Sequence, residues 1–173
     1  MSDHLNAISP LDGRYGSSVK DLSAYFSESA LMRYRLKVEI EYLIALGREK
    51  SIKKLPPFTK SEQTRLRKIY QNFNSTGAEK VKEIEATTNH DVKAIEYYIQ
   101  GKVRKSFHPW IHFALTSEDV NNLSYSLMWR DGLNLVYLSA VQSICKELKK
   151  MARKYKNASM LALTHGQPAT PIT

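Results

Sequence analysis

Four short polar stretches in this 173-residue chain combine residue types that do chemistry with turn residues that hold them still. Thr164-His165-Gly166-Gln167-Pro168-Ala169-Thr170-Pro171 sets an imidazole among one glycine and two prolines. A polar loop that rich in Pro and Gly is stiff, so it can fix a histidine where a proton must be given or taken near neutral pH. Thr87-Thr88-Asn89-His90-Asp91 interrupts a helical pattern with five polar residues, which cannot form a core face. Asn89 suits the N-cap of the next helix, but capping does not account for His90 and Asp91 beside it. Thr116-Ser117-Glu118-Asp119 opens a further helix with Ser117 as the expected N-cap. Its hydroxyls and the free N–H groups of a helix start make an anion site, which Glu118 and Asp119 partly counter. Pro10, Gly13 and Gly16 bracket Arg14 and Tyr15. An arginine so held suits a phosphate, because its fork makes paired charge-assisted hydrogen bonds. Each stretch taken singly also reads as an ordinary turn or cap.

The elements that must position these groups read as helices. A short one is expected over 19–26, and a longer one from about Ser27 to Gly47 with one buried stripe: Leu31, Tyr34, Val38, Tyr42 and Ala45. Leu55-Pro56-Pro57-Phe58 reads as a linker, and Thr59-Lys60-Ser61-Glu62 as a capping box opening a helix carried by Leu66, Ile69, Tyr70 and Phe73. Helical spacing resumes from Ala78 and again through Val92, Ile95 and Ile99. His108 and His112 stand four apart on an expected helical turn, but no third ligand accompanies them, so packing or a polar contact is favoured over zinc. The last helix is expected to run from Ser117 to Lys156, about 60 Å long, with a slip of phase around Arg130-Asp131-Gly132. Beyond the slip, Tyr137, Val141, Ile144, Leu148, Met151 and Tyr155 form a coiled-coil-like seam that calls for partner helices. No stretch reads convincingly as a strand. The expected fold is all-α: a helical domain over 1–115, then from 116 the start of a long-helix bundle.

Composition narrows the function classes. A single cysteine, Cys145, allows neither an internal disulfide framework nor a thiolate metal cluster. The polar start and the absence of a long apolar run suggest neither leader nor membrane anchor, and the cytoplasm is the expected compartment. The net charge of +9 raises the possibility of polyanionic partners, with Lys102 to Lys105 and Lys146 to Lys156 the main runs. Solvated helix faces explain such runs more economically, and a small anionic substrate is a third source.

Taken together, Ser9-Pro-Leu-Asp-Gly-Arg-Tyr-Gly16, Thr87-Thr-Asn-His-Asp-Val-Lys-Ala94, His112-Phe-Ala-Leu-Thr-Ser-Glu-Asp-Val-Asn-Asn-Leu123 and Thr164-His-Gly-Gln-Pro-Ala-Thr-Pro171 resemble the adenylosuccinate lyase family of the fumarase/aspartase superfamily, in wording closest to its bacterial branch. The resemblance implies β-elimination of fumarate from a succinyl-purine nucleotide, in purine biosynthesis. It implies that His165 is the general acid on the leaving nitrogen and that Thr116 and Ser117 bind a carboxylate. It places Asn89, His90 and Asp91 at the substrate, with Asp91 also able to orient an imidazole, and Arg14 and Tyr15 at the phosphate. Lys93 and Gln167 are further contacts it suggests. It implies a homotetramer whose sites draw on three subunits, and no metal, organic cofactor, nucleic acid or membrane. Members are longer, and the family's Ser-Ser-x-Met-Pro-x-Lys-x-Asn loop, which carries the serine base, is not among these residues.

Three alternatives stand beside this expectation. Another lyase of the superfamily, such as an argininosuccinate lyase, would keep the helical frame with a different succinyl substrate. A helical nucleic-acid-binding module would show unselective, salt-sensitive affinity for oligonucleotides. A piece that assembles with lyase helices without turning over would look the same in sequence.

Overall fold

The computed structural model describes residues 4–173. The chain divides into two compact units, Met1–Gly132 and Leu133–Thr173. It is mostly helical, as expected from the periodicity, with one small two-stranded sheet.

The first unit opens with single turns of 3-10 helix at His4–Asn6 and Lys20–Leu22, and then carries six helices. They are α1 (Ser23–Phe26), α2 (Glu28–Leu46), α3 (Lys60–Gln71), α4 (Ser75–Thr88), α5 (Asp91–Gln100) and α6 (Ser117–Gly132). A 3-10 stretch, Lys105–Trp110, links α5 to α6. Capping chemistry sets several boundaries. The Ser27 side chain accepts from the Ala30 N–H at the start of α2. At α3 the expected capping box is complete: Thr59 accepts from Glu62 N–H while the Glu62 carboxylate takes the Thr59 N–H.

The expected single buried stripe on α2 is too narrow. Ala30, Met32, Leu36, Ile40, Leu43, Ile44 and Leu46 are buried along with Tyr34 and Val38, whereas Leu31 and Tyr42 are half-buried and Ala45 is exposed. The reason is packing: α1, α3, α4, α5 and α6 all lie against α2, so it forms the axis of the unit. A helix apolar nearly all round is one buried on nearly all sides. Its Leu36, Ile40 and Ile44 meet Leu66, Val81, Ala94, Ile95 and Ile99 in one core cluster. Each such aliphatic side chain contributes about 1.5–3 kcal/mol by leaving water. The expected linker at Leu55–Phe58 is also part of the core, since Leu55 and Phe58 bury between exposed Pro56 and Pro57.

The second unit begins with a π-helical turn, Leu133–Tyr137, continues as α7 (Leu138–Tyr155), and ends in a hairpin of β1 (Met160–Thr164) and β2 (Gln167–Ile172). The π turn falls where the hydrophobic pattern slips phase, because one wide turn rotates the following side chains relative to those before it. None of the seam residues on α7 is buried; Ile144, Leu148, Met151 and Tyr155 are all exposed.

The hairpin corrects the expectation of no strand and of a loop held by prolines. Met160↔Ile172 and Thr164↔Gln167 pair antiparallel, with an irregularity between Leu161 and Leu163. His165 and Gly166 form the two-residue turn, and both have positive φ, 49° and 75°. Two consecutive positive φ values are the signature of the tight turn that matches strand twist, and glycine makes the second one cheap. Pro168 and Pro171 fit because each strand of a two-stranded ribbon is an edge. The local signals, alternating Leu161 and Leu163 before His-Gly, are period-2 rather than period-3.6.

Candidate active site

Three of the four chemical stretches lie in the first unit, and α2 joins two of them. Thr87 and Thr88 end α4 rather than breaking it, and Asn89 terminates that helix in the left-handed conformation, φ 50°. Asn89 is therefore the C-cap of α4 and not the N-cap of α5. A short amide side chain tolerates that backbone better than most, which is why asparagine serves there. The N-cap of α5 is His90, whose Nδ1 accepts from the Lys93 N–H at 3.2 Å.

Asp91 follows in the first turn of α5, and its carboxylate meets the Arg35 guanidinium of α2 at 2.7 Å. Burial pushes the Asp91 carboxyl up, but the Arg35 charge and hydrogen bond, with the Val92 N–H, outweigh it and hold the group below its ordinary range. Arg35 also donates from Nε to Asn121 Oδ1 of α6 at 2.9 Å, and Asn121 in turn donates to Glu118 at 2.9 Å. One buried guanidinium thus ties the start of α5 to the first two turns of α6. Lys93 pairs with buried Glu96 at 2.8 Å, and that hydrogen bond pushes its ammonium pKa up.

One turn along α2, Glu39 is fully buried and takes both the ring Nδ1 of His112, at 2.5 Å, and the His112 backbone N–H, at 3.1 Å. Burial drives the Glu39 carboxyl up, partly offset by the hydrogen bond from His112. His112 holds a positive φ of 59° and Ala114 one of 57°, sparsely populated backbone for residues with a Cβ. His108 and His112 do not share a helical turn; His108 Nε2 lies 3.0 Å from the Gln100 carbonyl oxygen. Of the two readings for these histidines, packing or a polar contact, the structure has the polar contact for both.

The strained segment leads into Thr116 and Ser117. Ser117 is the first residue of α6 rather than its N-cap, and Thr116 takes the flanking position. Both the N–H and the Oγ1 of Thr116 donate to Asp119, at 2.7 and 2.8 Å. Those bonds hold the Asp119 carboxyl below its ordinary range, the backbone bond most strongly. Asp119 thus occupies the Thr116 donors, and any carboxylate bound here would compete with it.

Arg14 and Tyr15 sit on a run of turns closed by Asp12 and Gly13 N–H groups on the Ser9 carbonyl and by Tyr15 N–H on Pro10. The Arg14 guanidinium lies over the Tyr15 ring, 5.6 Å from its centre, and both side chains are exposed. Gly16 sits in a tight turn: a Cβ there would lie 3.3 Å from two carbonyl oxygens, closer than most Cβ contacts. His165 and Gln167 belong to the hairpin of the second unit, His165 exposed at its turn.

Sequence reasoning missed Arg35, Glu39 and Asn121. Their types and spacing do not single out Arg35 and Glu39, since Lys37 and Glu41 stand four apart on the same helix and are only half-buried. Among the described residues no group of three or more His, Cys, Asp or Glu is arranged to hold a metal ion.

The helix starts of this mostly helical chain carry hydroxyls, backbone amides and an ion-paired aspartate. A family model described as lyase matches residues 13–173, and the chain belongs to that lyase family. It is 45% identical to the adenylosuccinate lyase of Legionella pneumophila subsp. pneumophila over 98% of this chain and 38% of that protein. The adenylosuccinate lyase of Dictyostelium discoideum is also 45% identical, over 99% of this chain and 38% of its own length. For that of Escherichia coli K12 the identity is 41%, over 98% and 38%. The chain therefore spans well under half the length of these relatives.

Proposed function

We propose that this chain is part of an adenylosuccinate lyase that eliminates fumarate from adenylosuccinate, giving AMP, and from SAICAR, giving AICAR. The observation that carries this reading is the identity of 41–45% to adenylosuccinate lyases over 98% or more of the chain, a span that includes all four chemical stretches.

The reaction sets two demands. A proton leaves the carbon beside a carboxylate, so negative charge builds there, and the departing nitrogen needs a proton. In this reading His165 gives that proton as the C–N bond breaks and the electron pair left by the C–H bond becomes the double bond of fumarate. Thr116 and Ser117, at the start of α6, hold a succinyl carboxylate once it displaces Asp119. Asn89, His90 and Asp91 contact the substrate, Arg14 and Tyr15 its phosphate, and Lys93 and Gln167 add contacts. The base comes from residues outside this chain, since the serine-loop signature is not among these 173. Residues 1–115 form the N-terminal helical domain and the bundle starts at 116.

The exposed seam of α7 calls for covering helices, from later in the chain or from other subunits, and the assembly we propose is a homotetramer with sites shared between subunits. No helix among the described residues is long and apolar enough to cross a membrane, and a small-molecule enzyme of the cytoplasm is the assignment we adopt. The test is a substrate panel on the full-length protein. Fumarate should appear from adenylosuccinate and SAICAR and not from argininosuccinate. Release from argininosuccinate alone would move the assignment to another lyase.

A further inference from the structure

The buried charges of α2 have no place in the chemistry above, yet they touch the segments that chemistry needs. Arg35 is 5% exposed and Glu39 1% exposed, in a helix whose other buried positions are apolar or aromatic. Burying such groups is costly and does not by itself stabilise a fold, since apolar residues of like volume serve as well or better. What an ion pair adds is directionality. Arg35 uses two different nitrogens on two different helices: one on Asp91 at 2.7 Å and Nε on Asn121 at 2.9 Å. Glu39 uses both oxygens on His112, four residues before Thr116. The His112 backbone is left-handed, so the segment holds its shape only because a partner fixes it.

We infer that Arg35, supported by Glu39, is a positioning residue of the lyase site: it sets the start of α5, with His90 and Asp91, against the start of α6, with Thr116 and Ser117. The inference rests on the lyase reading of those four residues. Arg35 has no contact with substrate in this role. It acts through Asp91 and Asn121, and Glu39 acts through the His112 segment. A lysine in place of Arg35 keeps the charge but has one nitrogen on a flexible stem, so it cannot hold both partners in a fixed fork.

The test uses the full-length protein and the variants Arg35→Lys, Asp91→Asn and the double variant, each assayed for fumarate release with the melting temperature recorded. Misplacement of reacting groups by a fraction of an ångström to 1 Å lowers turnover by about 10- to 100-fold, so Arg35→Lys should lose at least ~10-fold in kcat while remaining folded at the assay temperature. Because Arg35 works through Asp91, the double variant should lose no more than about 3-fold beyond the worse single variant. Turnover of Arg35→Lys within about 2-fold of the parent would overturn the inference, as would losses that simply multiply in the double variant. If Arg35→Lys does not fold, Asn121→Ala takes its place: it removes one partner of the fork from a half-buried position in the second turn of α6. Unchanged kcat there would count against the inference equally. A parent protein that releases no fumarate sinks the lyase reading; an active parent with insensitive variants sinks this inference alone.

Discussion

Two helices of nearly equal length show what this sequence asks of its surroundings. α2 has 19 residues and buries 11 of them; α7 has 18 and buries none. Both carry apolar residues at helical spacing, spread round most of α2 and confined to one face of α7. The difference lies in what the chain supplies to cover them. α2 is wrapped by helices from its own unit, while the stripe on α7 is left facing water within these residues. The two regions accordingly divide labour. The first unit carries its stability in α2, and the second carries an exposed histidine at the tip of a hairpin. An isolated two-stranded ribbon is marginally stable in water, and within these residues the histidine at its tip stays exposed.

The sharpest way to break that division is at the histidine. His165→Gln in the full-length protein should lower kcat by about 100-fold or more, as expected for loss of a general acid, while substrate dissociation constants and melting temperature stay within error. A large fall in melting temperature would make His165 a structural residue. The second contrast compares truncations in the 173 residues alone. Leu36→Ala on α2 should cost about 3 kcal/mol, the usual price of a cavity in a closed core, whereas Leu148→Ala on α7 should change stability by less than about 0.5 kcal/mol. Urea unfolding measures both. In the full-length protein Leu148→Asp should instead shift sedimentation toward smaller species if the proposed assembly covers the seam.

A smaller effect sharpens the account of the helix starts. Thr59→Ala should destabilise the first unit by about 1 kcal/mol by removing half of the capping box, with no effect on turnover. The smallest is acid sensitivity. The Asp91 carboxyl is held below its ordinary value of 3.8 in the folded state. It therefore favours folding above the unfolded value, and that contribution is lost as pH falls through the lower folded value. Asp91→Asn should flatten the acid limb of stability below about pH 4. An unchanged limb would show that the Arg35 pair contributes nothing to it.

How far the sequence was legible follows the same physics. The capping box at Thr59 and the phase slip before α7 were readable because each is a local pattern with one physical meaning. The four chemical stretches were readable as motifs, while their partners were not. Nothing near Asp91 in sequence names Arg35, 56 positions earlier; only the packing of α5 and α6 on α2 brings it there. The N-cap role expected of Asn89 falls to His90, and Asn89 ends α4, because one left-handed residue decides which helix an asparagine ends or begins. Pro168 and Pro171 suggest a loop, yet in an edge strand a proline costs no hydrogen bond, and the hairpin forms through them.

The central claim is that these residues hold part of a lyase site which is completed by chain and subunits beyond them. Fumarate release from adenylosuccinate, measured side by side for the 173 residues alone and for the full-length protein, tests it most directly. The account expects turnover from the full-length protein and none above background from the 173 residues. Fumarate produced by the 173 residues alone would contradict it, as would a folded full-length protein that produces none.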